Sequence, residues 1–298
     1  MAWQDTFTCT QSPPLLDRLC ALLVGRGGNG LAGGQLGNFG LMWSAAGALP
    51  VPDLDGPRGV PRGIAAVTRP SNIGLLAATH PELTGVTQRL SLQWQGDVAF
   101  GTCGDHTIIA TVTGRGGRRV LAGLARLFRT EQFDLLVNIG FAGALAPELH
   151  VGQVLEFTSV INEAGERHRL HGDRDSSGPT LLTVNRVVES PEQKQALRRQ
   201  HEAAAVDMET YHLAHAMRRH RLPLRAIRAI LDTADSAPPP AALQWVTPTG
   251  LPRTLPATVW LMAHPHQLPL MRRLKRSTRL ASRALADHME QMLVQEPV

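Results

Sequence analysis

Apolar residues recur along this chain in short blocks separated by glycine-rich or polar breaks, and from Gly63 onward the blocks alternate between strand-like and helix-like spacing. Gly63-Ile64-Ala65-Ala66-Val67 is a short apolar run ending in the polar turn Thr68-Arg69-Pro70-Ser71-Asn72, which predicts a strand followed by a loop. Thr107 to Val112 is apolar and β-branched and breaks at Gly114-Arg115-Gly116-Gly117. Behind that break Val120, Leu121, Leu124, Leu127 and Phe128 fall at helical spacing, and Leu135 to Ile139 is a further apolar run ending at Gly140. Strand, glycine turn, helix and strand make a βαβ unit, which favours strands buried on both faces of a sheet.

The same reading predicts strands over Gln153 to Thr158 and Leu181 to Val184, with a polar surface loop at 162–179 between them. Ala205 to Arg219 reads as a helix that stops before Pro223, and Leu224 to Leu231 as a buried strand. Pro238-Pro239-Pro240 closes the core, and Leu268 to Leu293 has the pattern of a basic amphipathic helix with Leu270, Leu274, Ala281 and Leu285 among its apolar positions. Residues 1–60 are rich in Gly, Pro and Ala and read as an extension. Three segments follow: the extension at 1–60, an α/β domain at 61–243 and a basic helical extension at 244–298. Gly25-Arg26-Gly27-Gly28-Asn29-Gly30 matches GxGxxG, but no acidic residue follows at the right distance and no helix opens behind it, so it reads as a chance match.

Composition narrows the picture. With 298 residues and 43% hydrophobic content, the chain can bury a sizeable core. No apolar run approaches the roughly 20 residues of a spanning helix, and no secretory signal pattern opens the chain, so a cytoplasmic location is expected. Cys9, Cys20 and Cys103 are scattered without metal-binding spacing, and His212 and His215 lack HExxH spacing, so no metal site is expected. The net charge of +5 concentrates near the C-terminus, in Arg272, Arg273, Lys275, Arg276, Arg279 and Arg283. One Tyr and seven Phe supply few stacking platforms, which argues against nucleic acid as a partner. The basic helix suits peripheral contact with an anionic membrane; its alternative is a solvated face packed on the domain.

Two carboxylates stand out. Asp232 follows directly on an apolar strand, at the carboxyl end where open α/β sheets place ligands, although Asp there also serves as a helix cap. Glu209 lies at the start of the predicted helix, where dipole stabilisation is the alternative to a binding role.

Ala205-Val206-Asp207-Met208-Glu209, then Leu222-Pro223, then Arg228-Ala229-Ile230-Leu231-Asp232-Thr233-Ala234-Asp235 resembles the C-terminal half of methylthioadenosine/adenosylhomocysteine nucleosidases and their phosphorylase relatives. Val137 to Leu145, with Leu149 to Val154 and Thr113 to Gly117, is similar to that superfamily's glycine turns, and the likeness covers about residues 63–240. Leu182 to Val188, the stretch from Glu192 to Ala205, Pro238-Pro239-Pro240-Ala241-Ala242-Leu243 and His266 to Leu274 look most like hopanoid-associated phosphorylases. The resemblance implies a three-layer α/β/α sandwich around a central mixed sheet, a homo-oligomer, and phosphorolysis of a lipid-linked adenosyl compound such as adenosylhopane, with inorganic phosphate as co-substrate and no other cofactor.

By the same resemblance Asp232 protonates the departing purine, Glu209 holds the ribose hydroxyls, and Met208, Val187, Phe141 and Ala142 line the nucleoside site. Phosphate falls to the turns containing Gly114 and Gly140 and to the charges of Arg115 and Arg69. A nucleosidase needs a water-activating carboxylate early in the first loop, and Val67-Thr68-Arg69-Pro70-Ser71-Asn72 contains none. Against phosphate, Phe141 stands where many relatives carry a hydroxyl and Asn138 where some phosphorylases carry an arginine. A phosphate-independent nucleosidase and a non-catalytic nucleoside-binding protein therefore remain as alternatives, and Leu231 either raises the Asp232 pKa or completes the core.

Overall fold

The computed structural model describes residues 71–170, 178–218, 220, 222–237, 246–251, 264 and 268–295. The extension at 1–60, the predicted strand at 63–67, Arg69 and the 238–243 segment lie outside the described residues. The first described strand is β1 (Asn72–Ala77), so Asn72, read as the end of a loop, instead begins the strand. Helix α1 (His80–Arg89) follows, then β2 (Gln93–Gln95), β3 (Val98–Cys103), β4 (His106–Val112), α2 (Gly117–Leu127) and β5 (Leu135–Ala144). Strands β6 (Val154–Phe157), β7 (Ser159–Asn162), β8 (Arg167–Arg169) and β9 (Thr180–Thr183) lead to α3 (Pro191–His201). Strand β10 (Ala205–Asp207), α4 (Thr210–Met217), β11 (Leu224–Asp232) and α5 (Leu268–Gln295) complete the described elements.

The strands form one mixed sheet in the order β2-β3-β4-β1-β5-β10-β9-β7-β8, with β11 pairing both β5 and β6. Strands β4, β1, β5 and β11 run parallel, so the βαβ unit over β4, α2 and β5 steps across β1. Alternation along β1 sends Ile73, Leu75 and Ala77 to one buried face and Leu76 to the other. The first face packs against α1 and α5 through Leu83, Val86, Ala281, Leu285 and Met289, and the second against α2 and α4 through Val120, Leu124, Leu127, Leu213 and Met217. The fold is a three-layer α/β/α sandwich with a central mixed sheet, as the sequence resemblance implies.

Three elements differ from the sequence reading. The helix expected over Ala205 to Arg219 is a strand and a shorter helix: Ala205 and Val206 bridge β9 and β5, and the helix begins only at Thr210. The Asp207 carboxylate accepts the Thr210 N–H at 3.1 Å and so marks that beginning. The turn expected at Gly140 is continuous strand, because β11 and β10 engage β5 as far as Gly143 and Ala144. The loop expected at 162–179 contains β8, which forms a hairpin with β7.

Helix α5 has the predicted amphipathic character, but its apolar face is already engaged. Ala281, Leu285, Ala286, Met289, Met292 and Leu293 are buried against the domain, whereas Leu270 near its start is 37% exposed. Arg89 of α1 pairs with Asp287 and, at 3.1 Å, with Glu290. Among the described residues no helix is long and apolar enough to cross a membrane.

Candidate active site

The carboxyl ends of β1, β5, β10 and β11 converge on a cavity of about 260 Å³. Its walls include Phe141, Val188, Met208 and Leu231, and four acidic residues line it: Glu82, Asp207, Glu209 and Asp232. An apolar cavity with a few converging polar groups is the usual form of a small-molecule site.

Glu82 sits in the first turn of α1, directly after β1. Its Oε2 accepts the Thr79 N–H at 2.6 Å and its Oε1 accepts the Phe141 N–H at 2.9 Å. Burial raises its pKa, opposed by the Phe141 N–H, the Arg228 guanidinium and hydrogen bonds from Thr79. A carboxylate has about four lone-pair sites, so two anchoring N–H groups leave capacity for a water. The strand at Gly140 is shaped around this side chain, because a Cβ there would lie 3.0 Å from Glu82 Oε1. Gly140→Ala is therefore expected to displace the Glu82 carboxylate with the fold retained, checked by a crystal structure of the variant and circular dichroism.

Behind Glu82 lies a buried polar network. Arg228 of β11 donates to Asp207 at 2.8 Å, to Thr210 Oγ1 at 2.6 Å and to the Asn138 carbonyl at 2.7 Å. Asp207 also accepts the Thr183 hydroxyl at 2.5 Å and two bonds from Thr210. Asp207 is thus committed to holding β9, α4 and β11 together, and the Asn138 side chain meets Thr210 Oγ1 at 3.0 Å within the same network.

Glu209 precedes α4 and is 8% exposed. Its Oε1 accepts the Gly116 N–H at 2.7 Å and its Oε2 the Met208 N–H at 3.3 Å. Burial first, then the charge of Asp207, push its pKa up to about 8, with the Gly116 N–H opposing.

Asp232 ends β11 at an irregularity: Ile230 lies opposite Ala142 but Asp232 lies opposite Gly143, leaving Leu231 as the extra residue. Such a bulge re-aims the following side chain, here into the cavity. Leu231 packs on the core and also lines the cavity beside Asp232. Burial raises the Asp232 pKa, and Lys194 of α3, which pairs directly with Asp232 Oδ2, pulls it partly back. Lys194 is 1% exposed and also donates to the Thr233 carbonyl at 2.8 Å.

The structure brings Met208, Glu209, Val187, Phe141, Ala142 and Asp232 together around one cavity. Of the residues expected to hold phosphate, Gly114 and Gly140 are not among those lining this cavity. The Gly116 N–H in the Gly114 turn is engaged by Glu209, Gly140 lies in strand β5 against Glu82, and Arg69 lies outside the described residues. Arg115 does line the cavity, with its backbone N–H on the Pro248 carbonyl at 3.0 Å. Sequence reading missed Glu82, Lys194 and Arg228 as site residues. Thr79-x-x-Glu82 ahead of a helix has capping-box spacing and was the available signal for Glu82.

The sequence profile described as the Phosphorylase superfamily matches residues 72–179 and 169–253. The chain belongs to this superfamily and is one of its enzymes. It is similar to the 5′-methylthioadenosine/S-adenosylhomocysteine nucleosidase of Staphylococcus aureus, 25% identical over an aligned length of 198 residues that covers 55% of this chain and 87% of that protein. Among solved structures it is similar to the futalosine hydrolase of Helicobacter pylori strain 26695, with a TM-score of 0.55 and 15% identity over 74% of this chain and 96% of that one. It is also similar to the S. pneumoniae 5′-methylthioadenosine/S-adenosylhomocysteine nucleosidase bound to the transition-state inhibitor MT-ImmA, with a TM-score of 0.53 and 20% identity over 74% and 98% of the two chains. At these identities the solved structures establish the shared fold.

These likenesses correct the expectation of a hopanoid-linked phosphorylase with phosphate as co-substrate: the relatives named are nucleosidases and a hydrolase. The physical reason for the error lies in the first loop. A reading confined to residues 67–72 stops short of Glu82, an early carboxylate that lies beyond β1 and lines the cavity.

Proposed function

We propose that this enzyme hydrolyses the N-ribosidic bond of a purine nucleoside of the 5′-methylthioadenosine/S-adenosylhomocysteine type, with water rather than phosphate as nucleophile. The observation that carries the reading is Glu82, a cavity-lining carboxylate anchored by two backbone N–H groups. Cleavage develops positive charge on the ribose and negative charge on the base, as in the oxocarbenium-like states of glycoside hydrolysis. Glu82 takes a proton from the attacking water. Glu209, with its pKa pushed to about 8, is poised to exchange hydrogen bonds with the ribose hydroxyls and to meet the developing cation once ionised. Asp232, with its pKa raised by burial, protonates the departing base. Met208, Phe141, Ala142 and Val187 supply the surrounding surface.

Glu82 also speaks against a non-catalytic binding protein, a reading motivated by Phe141 and the first loop. Contact with an anionic membrane would fall to Arg272, Arg273, Lys275, Arg276 and Arg279, which are exposed on the first half of α5. A homo-oligomer is carried forward from the family resemblance, to be measured by light scattering. The activity is tested by incubating purified protein with 5′-methylthioadenosine: adenine release at equal rates with and without phosphate is expected, and release only with phosphate would reject hydrolysis.

A further inference from the structure

Lys194 has no part in the chemistry derived so far, yet it is the most deeply buried cation at the site. Its stem lies in α3, its ammonium pairs with Asp232 Oδ2 and donates to the Thr233 carbonyl at 2.8 Å, and it lines the cavity. Strand β5 leaves room for the pair at Gly143, where a Cβ would lie 3.3 Å from Asp232 Oδ2 and 3.4 Å from Lys194 Nζ. The other charged groups around the pair are Asp235 beyond β11, Arg273 of α5, and Arg186 and Glu209 at the cavity wall.

A buried ammonium needs a counter-charge, and here that counter-charge is the carboxylate that must deliver a proton. An ionised Asp232 paired with Lys194 has no proton of its own to give, so the nearest transferable proton is on Nζ. We propose that Lys194 is the proton source for Asp232, acting through that carboxyl rather than on the substrate. This rests on the hydrolytic reading above. On the base side a proton leaves Lys194 Nζ for the Asp232 carboxyl and passes to the base nitrogen as the C1′–N9 bond breaks and its electrons go to the base. The attacking water gives its hydroxyl to C1′ and its proton to Glu82. Solvent then returns a proton to the neutral Lys194 amine while Glu82 releases one, so the cycle closes without a co-reactant.

The test uses Lys194→Arg and Lys194→Met in the full chain, with adenine release from 5′-methylthioadenosine followed across pH. Arginine keeps the charge but cannot give up its proton at accessible pH. Its variant is expected to release adenine about 100-fold more slowly at every pH. Methionine leaves Asp232 to take its proton from solvent, so this variant is expected to be active at acidic pH and to lose activity as Asp232 ionises. A Lys194→Arg variant within threefold of the wild type overturns the proposal, because a fixed positive charge would then suffice. Binding of an uncleavable, carbon-linked analogue of 5′-methylthioadenosine is measured alongside. Retained binding is expected, and loss of both binding and turnover in both variants assigns Lys194 to packing and likewise overturns it. If the wild type itself releases no adenine, the hydrolytic reading fails, an outcome distinct from either result with the variants.

Discussion

Glu82→Gln is expected to lower kcat for adenine release about 1,000-fold, within the range for loss of a general base. The amide has nearly the shape of the carboxylate and can still accept one of the two N–H groups from Thr79 and Phe141, but not both. The unmatched donor costs about 1 kcal/mol, partly offset because the neutral amide escapes the burial penalty that raises the Glu82 pKa. Thermal unfolding should therefore change little while turnover collapses. Steady-state kinetics and calorimetry on the same preparation distinguish these effects. A variant that keeps more than a tenth of wild-type kcat would show that Glu82 does not activate the nucleophile.

Asp232→Asn is expected to affect turnover and stability together. Asparagine can accept a hydrogen bond from Lys194 but cannot carry a transferable proton, so kcat should fall about 1,000-fold. It also leaves the Lys194 ammonium, 1% exposed, without its counter-charge. Removing one partner of a buried ion pair destabilises by roughly 3 kcal/mol. The melting temperature should fall accordingly, and Asp232→Asn should be more destabilising than Glu82→Gln. Equal melting temperatures for the two variants would contradict the buried pair, whatever their kinetics.

The two variants differ in how visible their residues are in sequence. Strand β11 is legible because Leu224 to Leu231 is a long apolar run, and an Asp at its end is a recognisable placement. Glu209 is legible through its neighbours, but its local structure is not: a strand of three residues, Ala205–Asp207, is too short to show a period, and it merged with the helix behind it. Glu82 was overlooked because an earlier apolar run at 63–67 drew the first strand away from Asn72–Ala77.

The small residues of β5 were misleading for a different reason. Gly140 and Gly143 look like a turn in sequence, whereas in the sheet they make room for Glu82 and for the Lys194–Asp232 pair. That spatial need arises from elements 50 to 90 positions away, beyond the reach of local pattern. Lys194 lies in a helix whose other residues include Glu192, Arg198 and Arg199, and its inward direction is set by packing rather than composition.

Hydrolysis is tested most directly by turnover of 5′-methylthioadenosine in ¹⁸O-labelled water containing phosphate. The account predicts adenine and methylthioribose carrying one ¹⁸O at the anomeric carbon, at a rate independent of phosphate. Formation of an unlabelled sugar 1-phosphate would contradict it.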